Sequence, residues 1–130
     1  MASGPKIVNF SIPAGDVLTL NIDISPDATP VLPTLLGSNI YFNAWKAPFG
    51  LKTGDPVIHK ALDHGIEIDD PDLLKYHISF DMDDTIDQER TTHYFETTVV
   101  DGSGNHLTPT IGIMTITEAG TGDFTATEFP

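Results

Sequence analysis

Cysteine is absent from the 130-residue chain, which excludes together a disulfide scaffold, a thiolate metal site and a cysteine nucleophile. Basic residues are scarce: six Lys and Arg stand against 19 Asp and Glu, a formal net charge of −13. A surface of that sign repels phosphate backbones and anionic lipid headgroups. Neither nucleic acid nor a membrane is therefore expected as a direct partner, and the acidity is read as protecting solubility and opposing edge-to-edge pairing of strands. Long apolar runs are missing as well. No segment approaches the roughly 18–20 apolar residues of a membrane span, and residues 1–6 lack a basic region leading into an apolar stretch, so the chain reads as soluble and unprocessed.

What is present is a β pattern. Ten prolines, 11 glycines and 39% hydrophobic residues suit a turn-rich sheet protein of one domain. Residues 91–117 give the strongest signal, a hairpin. Its two arms, 94–100 and 111–117, are rich in aromatic and β-branched side chains, and Asp101-Gly102-Ser103-Gly104-Asn105 between them reverses a chain at little cost. Alternation sends Phe95, Val99, Met114 and Ile116 to the core and Tyr94, Val100 and Ile113 to the other face.

The same period recurs upstream. Residues 17–24 turn Leu18, Leu20, Ile22 and Ile24 inward; residues 39–46 turn Ile40, Phe42 and Ala44 inward and Tyr41 and Trp45 outward; residues 73–82 turn Leu74, Tyr76, Ile78, Phe80 and Met82 inward. Two shorter strands, 56–62 and 65–69, flank an Asp63-His64 turn, and Asp84 or Thr85 is placed to cap a single helical turn before the hairpin. Strand signals at intervals of roughly 8 to 12 residues, with turns between them, predict an all-β antiparallel sandwich. Its expected bounds are 15–118, with 1–14 as an N-terminal arm or first strand and 119–130 as a glycine-containing C-terminal tail.

Constellations that carry chemistry are sparse. His59, His64, His77, His93 and His106 fall on different strands and turns, without the local spacings that bring zinc ligands together. Asp81, Asp83, Asp84, Asp87 and Glu89 bring oxygens close in sequence, but not in the Asp-x-Asp-x-Asp-Gly order with a distal Glu that a calcium loop uses. Asp69, Asp70 and Asp72 form a smaller group, and both are read as solvated faces and helix caps. No Gly-x-Ser-x-Gly elbow and no phosphate-cradling glycine loop occurs. No catalytic residue, cofactor or metal site is expected, and the chain is not read as an enzyme.

The outward aromatics Tyr41 and Trp45 leave two readings open: cover by Phe49 and residues 50–56 of the same chain, or contact with another chain, because exposed aromatics are enriched at interfaces. Parity selects Tyr41, Trp45, Tyr94 and Ile113 as interface residues. The tail is read most simply as frayed, and Phe124 and Phe129, set in its small and polar sequence, are added to the interface set as anchors that would order on a neighbouring subunit.

Taken in order, several short motifs form a recognisable series. Gly15-Asp16 opens an alternating strand; Leu35-Leu36-Gly37-Ser38 leads into the strand holding Phe42; Val57-Ile58-His59-Lys60 and Gly65-Ile66-Glu67-Ile68 follow; Asp84-Thr85 precedes the last hairpin, in which Phe95, Val99, Asp101, Gly104, Asn105, Gly112, Met114 and Ile116 hold the key places. This series resembles the immunoglobulin-like sandwich domains of tailed-bacteriophage structural proteins, including the N-terminal domain of baseplate upper proteins. The resemblance covers 15–118 and departs at Thr91-Thr92-His93 and at Thr97, where an inward aliphatic residue is usual. It implies a structural protein of the virion, assembled in the host bacterial cytoplasm: a neck, tail or baseplate adaptor that contacts other virion proteins and is present in several copies. A capsid decoration protein, or a carbohydrate-binding module for host recognition that stacks sugars on Trp45 and Tyr41, are the alternatives.

Overall fold

The computed structural model describes residues 5–24 and 34–118. Among them the order is β1 (Lys6–Ile7), β2 (Phe10–Pro13), β3 (Leu18–Asp23), β4 (Asn39–Trp45), β5 (Ile58–Leu62), β6 (Gly65–Asp70), β7 (Lys75–Phe80), α1 (Met82–Thr85), β8 (Thr92–Val100) and β9 (His106–Thr117). Hydrogen bonds join all nine strands into one sheet, ordered β1-β9-β8-β4-β5-β6-β7-β3, with β2 also on β9. The protein is all-β.

The hairpin forms where the alternation places it. Tyr94 lies opposite Ile113 and Phe95 opposite Gly112. In the turn, Asp101 Oδ1 accepts the N–H groups of Ser103 and Asn105 at 2.9 Å each, and Asn105 Nδ2 donates to Oδ2 at 3.2 Å. These bonds, the Asn105 N–H foremost, hold the Asp101 carboxyl below its ordinary range. Gly104, at φ 88°, takes the left-handed position that closes the turn. Between Thr97 and Val99 the register slips, so that β9 carries one extra residue at Thr108-Pro109, where proline would in any case break the ladder.

The expectation of a purely antiparallel sheet is not met, for the sheet is mixed. β1 and β2 run parallel to β9, with Ile7 beside Ile111 and Phe10 beside Met114 in one unbroken register. Residues 6–13 are thus a strand of the sheet, and they carry Phe10 and Ile12 into the core. Alternation reports which face a residue occupies and says nothing of strand direction, which is why the parallel pairing left no local mark. The strand is interrupted only at Val8 and Asn9. Val8 N–H donates to Ile111 O at 2.9 Å, and Asn9 Oδ1 stands in for a backbone carbonyl by accepting Ile113 N–H at 3.0 Å. The Val8 carbonyl sits directly over Gly112, where a Cβ would come within 1.7 Å of its oxygen.

The sheet curls toward a half-barrel. Phe42 on β4 meets Phe80 on β7 with ring centroids 5.2 Å apart, although β5 and β6 lie between those strands. Phe10 touches Phe80 and Phe95, and Phe42 stacks on Phe95 at 5.3 Å. Phe42, Phe80 and Phe95 are wholly buried, and each contributes roughly 1.5–3 kcal/mol relative to exposure. Asp63 (φ 66°) and Gly65 (φ 100°) coil the chain without reversing it, so that Ala61 pairs parallel with Gly65. Lys60, 8% exposed, packs its stem on Gly65, passes its ammonium 5.5 Å from the Phe80 ring centroid and meets Asp84 Oδ2 at 2.8 Å.

Asp81, not Asp84 or Thr85, is the N-cap of α1; Asp84 Oδ2 reaches back to accept the Asp81 N–H at 2.8 Å. Thr85 is fully buried, and its Oγ1 accepts the Gly15 N–H at 2.9 Å. Met82, expected inward, is 56% exposed because it opens this helical turn and leaves the strand alternation behind.

Two substitutions test this packing. Gly112→Ala forces the Val8 carbonyl away from β9 and should cost about 2–3 kcal/mol, as overpacked sites do; an unchanged denaturant midpoint would contradict the close approach. The Tyr76 hydroxyl, buried beside Thr97 without meeting hydrogen-bond geometry, is unpaired, and burial raises its pKa. Tyr76→Phe removes that unpaired group, so stability should hold or rise by up to about 1 kcal/mol; a clear loss in equilibrium unfolding would mean that the hydroxyl is bonded.

Candidate docking face

The face of β9, β8, β4 and β5 turned away from the core carries cross-strand rows. One row is Ile113, Tyr94 and Trp45; the next is Ile111, Glu96, Asn43 and His59; a third is Thr98, Tyr41 and Ala61. Residues 46–57 fold back over the first row. Trp45 and Tyr94 stack with centroids 6.1 Å apart, and Phe49 meets the Tyr94 ring edge-on at 5.4 Å. Trp45 Nε1 donates to Gly54 O at 3.2 Å, and Lys52 Nζ lies 5.8 Å from the Trp45 ring centroid. Lys52 also reaches Glu96 Oε1 at 3.4 Å, while the Tyr94 hydroxyl donates to Glu96 Oε2 at 2.6 Å. Burial, joined by the Glu96 charge, pushes the Tyr94 pKa up.

The two readings left open for the outward aromatics thus separate residue by residue. Trp45 is 8% and Tyr94 4% exposed; with Ala47 they form a second small core under the chain's own loop. Tyr41 remains partly open and stacks on His59 at 6.2 Å, whose Nδ1 pairs with Asn43 Oδ1. Ile113 is also partly open, at the edge of the Trp45 cluster. Phe124 and Phe129 lie outside the described residues.

Four residues of this face were not singled out as interface residues from the sequence. Ile111 shares the parity of Ile113, a signal available in the alternation. Ile7, 59% exposed, joins the face only because β1 pairs with β9 beside Ile111. Phe49 and Leu51, 49% and 51% exposed, extend the apolar surface from the covering loop. The result is an apolar strip of Ile7, Ile111, Ile113 and Phe49 on an acidic protein, rimmed by Lys52 and Glu96.

The titratable clusters elsewhere are engaged with their own surroundings. Asp84 serves the helix cap and Lys60; Asp70 Oδ1 accepts the N–H groups of Asp72 and Leu73; His77 lies 2.7 Å from Asp69 and 3.7 Å from Glu67. Among the described residues, no group of three or more His, Asp or Glu side chains is placed to hold a metal ion, and no helix is long and apolar enough to cross a membrane. No protein-family model matches the chain, and no curated protein matches it.

Trp45→Ala should cost about 3 kcal/mol, as large buried aromatics do, and free residues 46–57. Limited trypsin digestion reads this directly, since cleavage after Lys46 and Lys52 should precede cleavage elsewhere. Equal rates in wild type and variant would show that the loop is held without Trp45.

Proposed function

We propose that the chain is a structural virion protein of a tailed bacteriophage, a neck, tail or baseplate adaptor that works by docking other virion proteins and is present in several copies per particle. The observation that carries this reading is the apolar strip built on β9 and its neighbours, in which Ile7 and Phe49 are exposed and Ile111 and Ile113 partly open, on a strongly acidic chain. Apolar surface rimmed by polar groups marks protein contact sites. Tyr41, beside the strip, and the tail aromatics Phe124 and Phe129 complete the proposed interface, with Trp45 and Tyr94 stiffening it from beneath.

The fold is proposed to be an immunoglobulin-like sandwich. The run β9-β8-β4-β5 on one side and β6-β7-β3 on the other, with the core between them, supports this. So do the motifs of residues 15–118. Fold alone assigns no function, and the virion setting rests on the sequence resemblance. Of the alternatives, capsid decoration uses the same docking chemistry at a different place. The carbohydrate reading loses its main platform, because Trp45 is covered by Tyr94 and the loop.

Antibody against the purified chain should gold-label the neck, tail or baseplate of particles made by cells that encode it. Label confined to the head favours decoration, and no label on particles overturns the virion reading. Ile111→Ser with Ile113→Ser should lower incorporation at least tenfold while the purified variant still unfolds cooperatively; unchanged incorporation would remove this face from the interface.

A further inference from the structure

We propose that His93 is an acid-sensitive latch on the end of the sheet where β9 finishes. The ring is wholly shut off from solvent at the start of β8, opposite Met114. Continuing the β4–β8 register by one step places Lys46 on its other side. Nδ1 lies 3.1 Å from Thr91 O, so this nitrogen carries the proton and donates, while Nε2 meets no partner at hydrogen-bond geometry among the described residues. The same Thr91 carbonyl accepts the Ile116 N–H at 3.0 Å. One oxygen therefore holds both the imidazole and the last inward residue of β9.

The charged groups around the ring are few. Glu89 faces it from the segment leading into β8, and Lys46 from the exit of β4; the two pair with each other at 2.5 Å. Arg90, next to Glu89, is turned to the carbonyls of Ile86 and Gln88 at 2.9 and 2.6 Å. β9 presents Met114 opposite the ring, and the Met114 backbone favours the charged form. A neutral imidazole fits these surroundings. Protonation would place a full charge where water does not reach, with only backbone groups of Thr91 and Met114 to offset the lost hydration. Burial, aided by the Lys46 charge, outweighs the help of the Thr91 and Met114 backbone and of Glu89, and holds the His93 pKa below its ordinary 6.5.

The sign follows from linkage. The opened chain takes up a proton as pH falls through 6.5, whereas the closed corner does not, so stability is complete above that pH and is lost progressively below it. Opening releases Thr91, and with it the Ile116 N–H, loosening the grip on the end of β9. The latch stands independently of the proposed virion role, because it rests on the corner alone.

The test is native-state amide exchange of the full chain between pH 7.5 and 5, corrected for intrinsic exchange. Protection of Ile116 should fall relative to the amides of mid-β8, by up to about 30-fold at pH 5, the limit set by an ordinary imidazole. In His93→Gln that relative fall should vanish; its persistence overturns the proposal. If the variant does not fold, a proton NMR titration of the wild type decides: the His93 ring should titrate below the ordinary 6.5. A midpoint at or above 6.5, or full protonation of the ring with Ile116 still protected, overturns the latch.

Discussion

Both hydrogen-bonding edges of β9 are occupied, and the rest of the fold depends on that double pairing. β8 lies along one edge, antiparallel, and the N-terminal strand along the other, parallel. Two strands far apart in sequence are thereby held at a fixed spacing, and the aromatic cluster of Phe10, Phe42, Phe80 and Phe95 can close between them. The constraint is steric at one point. Where the Val8 carbonyl crosses β9, only a residue without a side chain fits, and Gly112 is that residue. Asn9 repairs the ladder at the next step by lending its side-chain oxygen to Ile113.

Much of this was legible in the sequence. The hairpin, its polar turn and the inward sets on β3, β4 and β7 all follow from a two-residue period with turn-forming residues between, because a half-buried strand writes its faces directly into the order of side chains. What was not legible depends on contacts between distant segments. The parallel seat of residues 6–13 needs a partner more than 100 positions away. The corner at Asp63 to Gly65 resembles an ordinary turn in composition, yet it coils without reversing the chain, with the Lys60 stem packed on Gly65. Met82 kept strand parity on paper and lost it to a helical turn capped by Asp81.

The outward face shows the same division. Parity correctly turned Trp45 and Tyr94 away from the main core, yet burial followed from the return of residues 46–57, which no alternation encodes. Their place on the accessible part of the face falls to exposed Ile7 and partly open Ile111 and Ile113, and Ile7 comes beside Ile111 through the register of β1 against β9. The inward Thr97, where the resembling domains hold an aliphatic side chain, lies beside the Tyr76 hydroxyl; together with His93 and Ser38 it gives the interior more polar atoms than its alternation suggests.

The parallel seat of the N-terminal strand also sets how the domain bears load. Because β1 and β2 run in the same direction as β9, tension applied at the start of β1 and the end of β9 draws the strands lengthwise past each other. Their hydrogen bonds then carry the force together along the whole row, where an antiparallel partner pulled from the same ends would unzip bond by bond. The first strand is thus the mechanical clamp of the chain, and Gly112, by letting the two backbones touch, is the point at which that clamp is tightest.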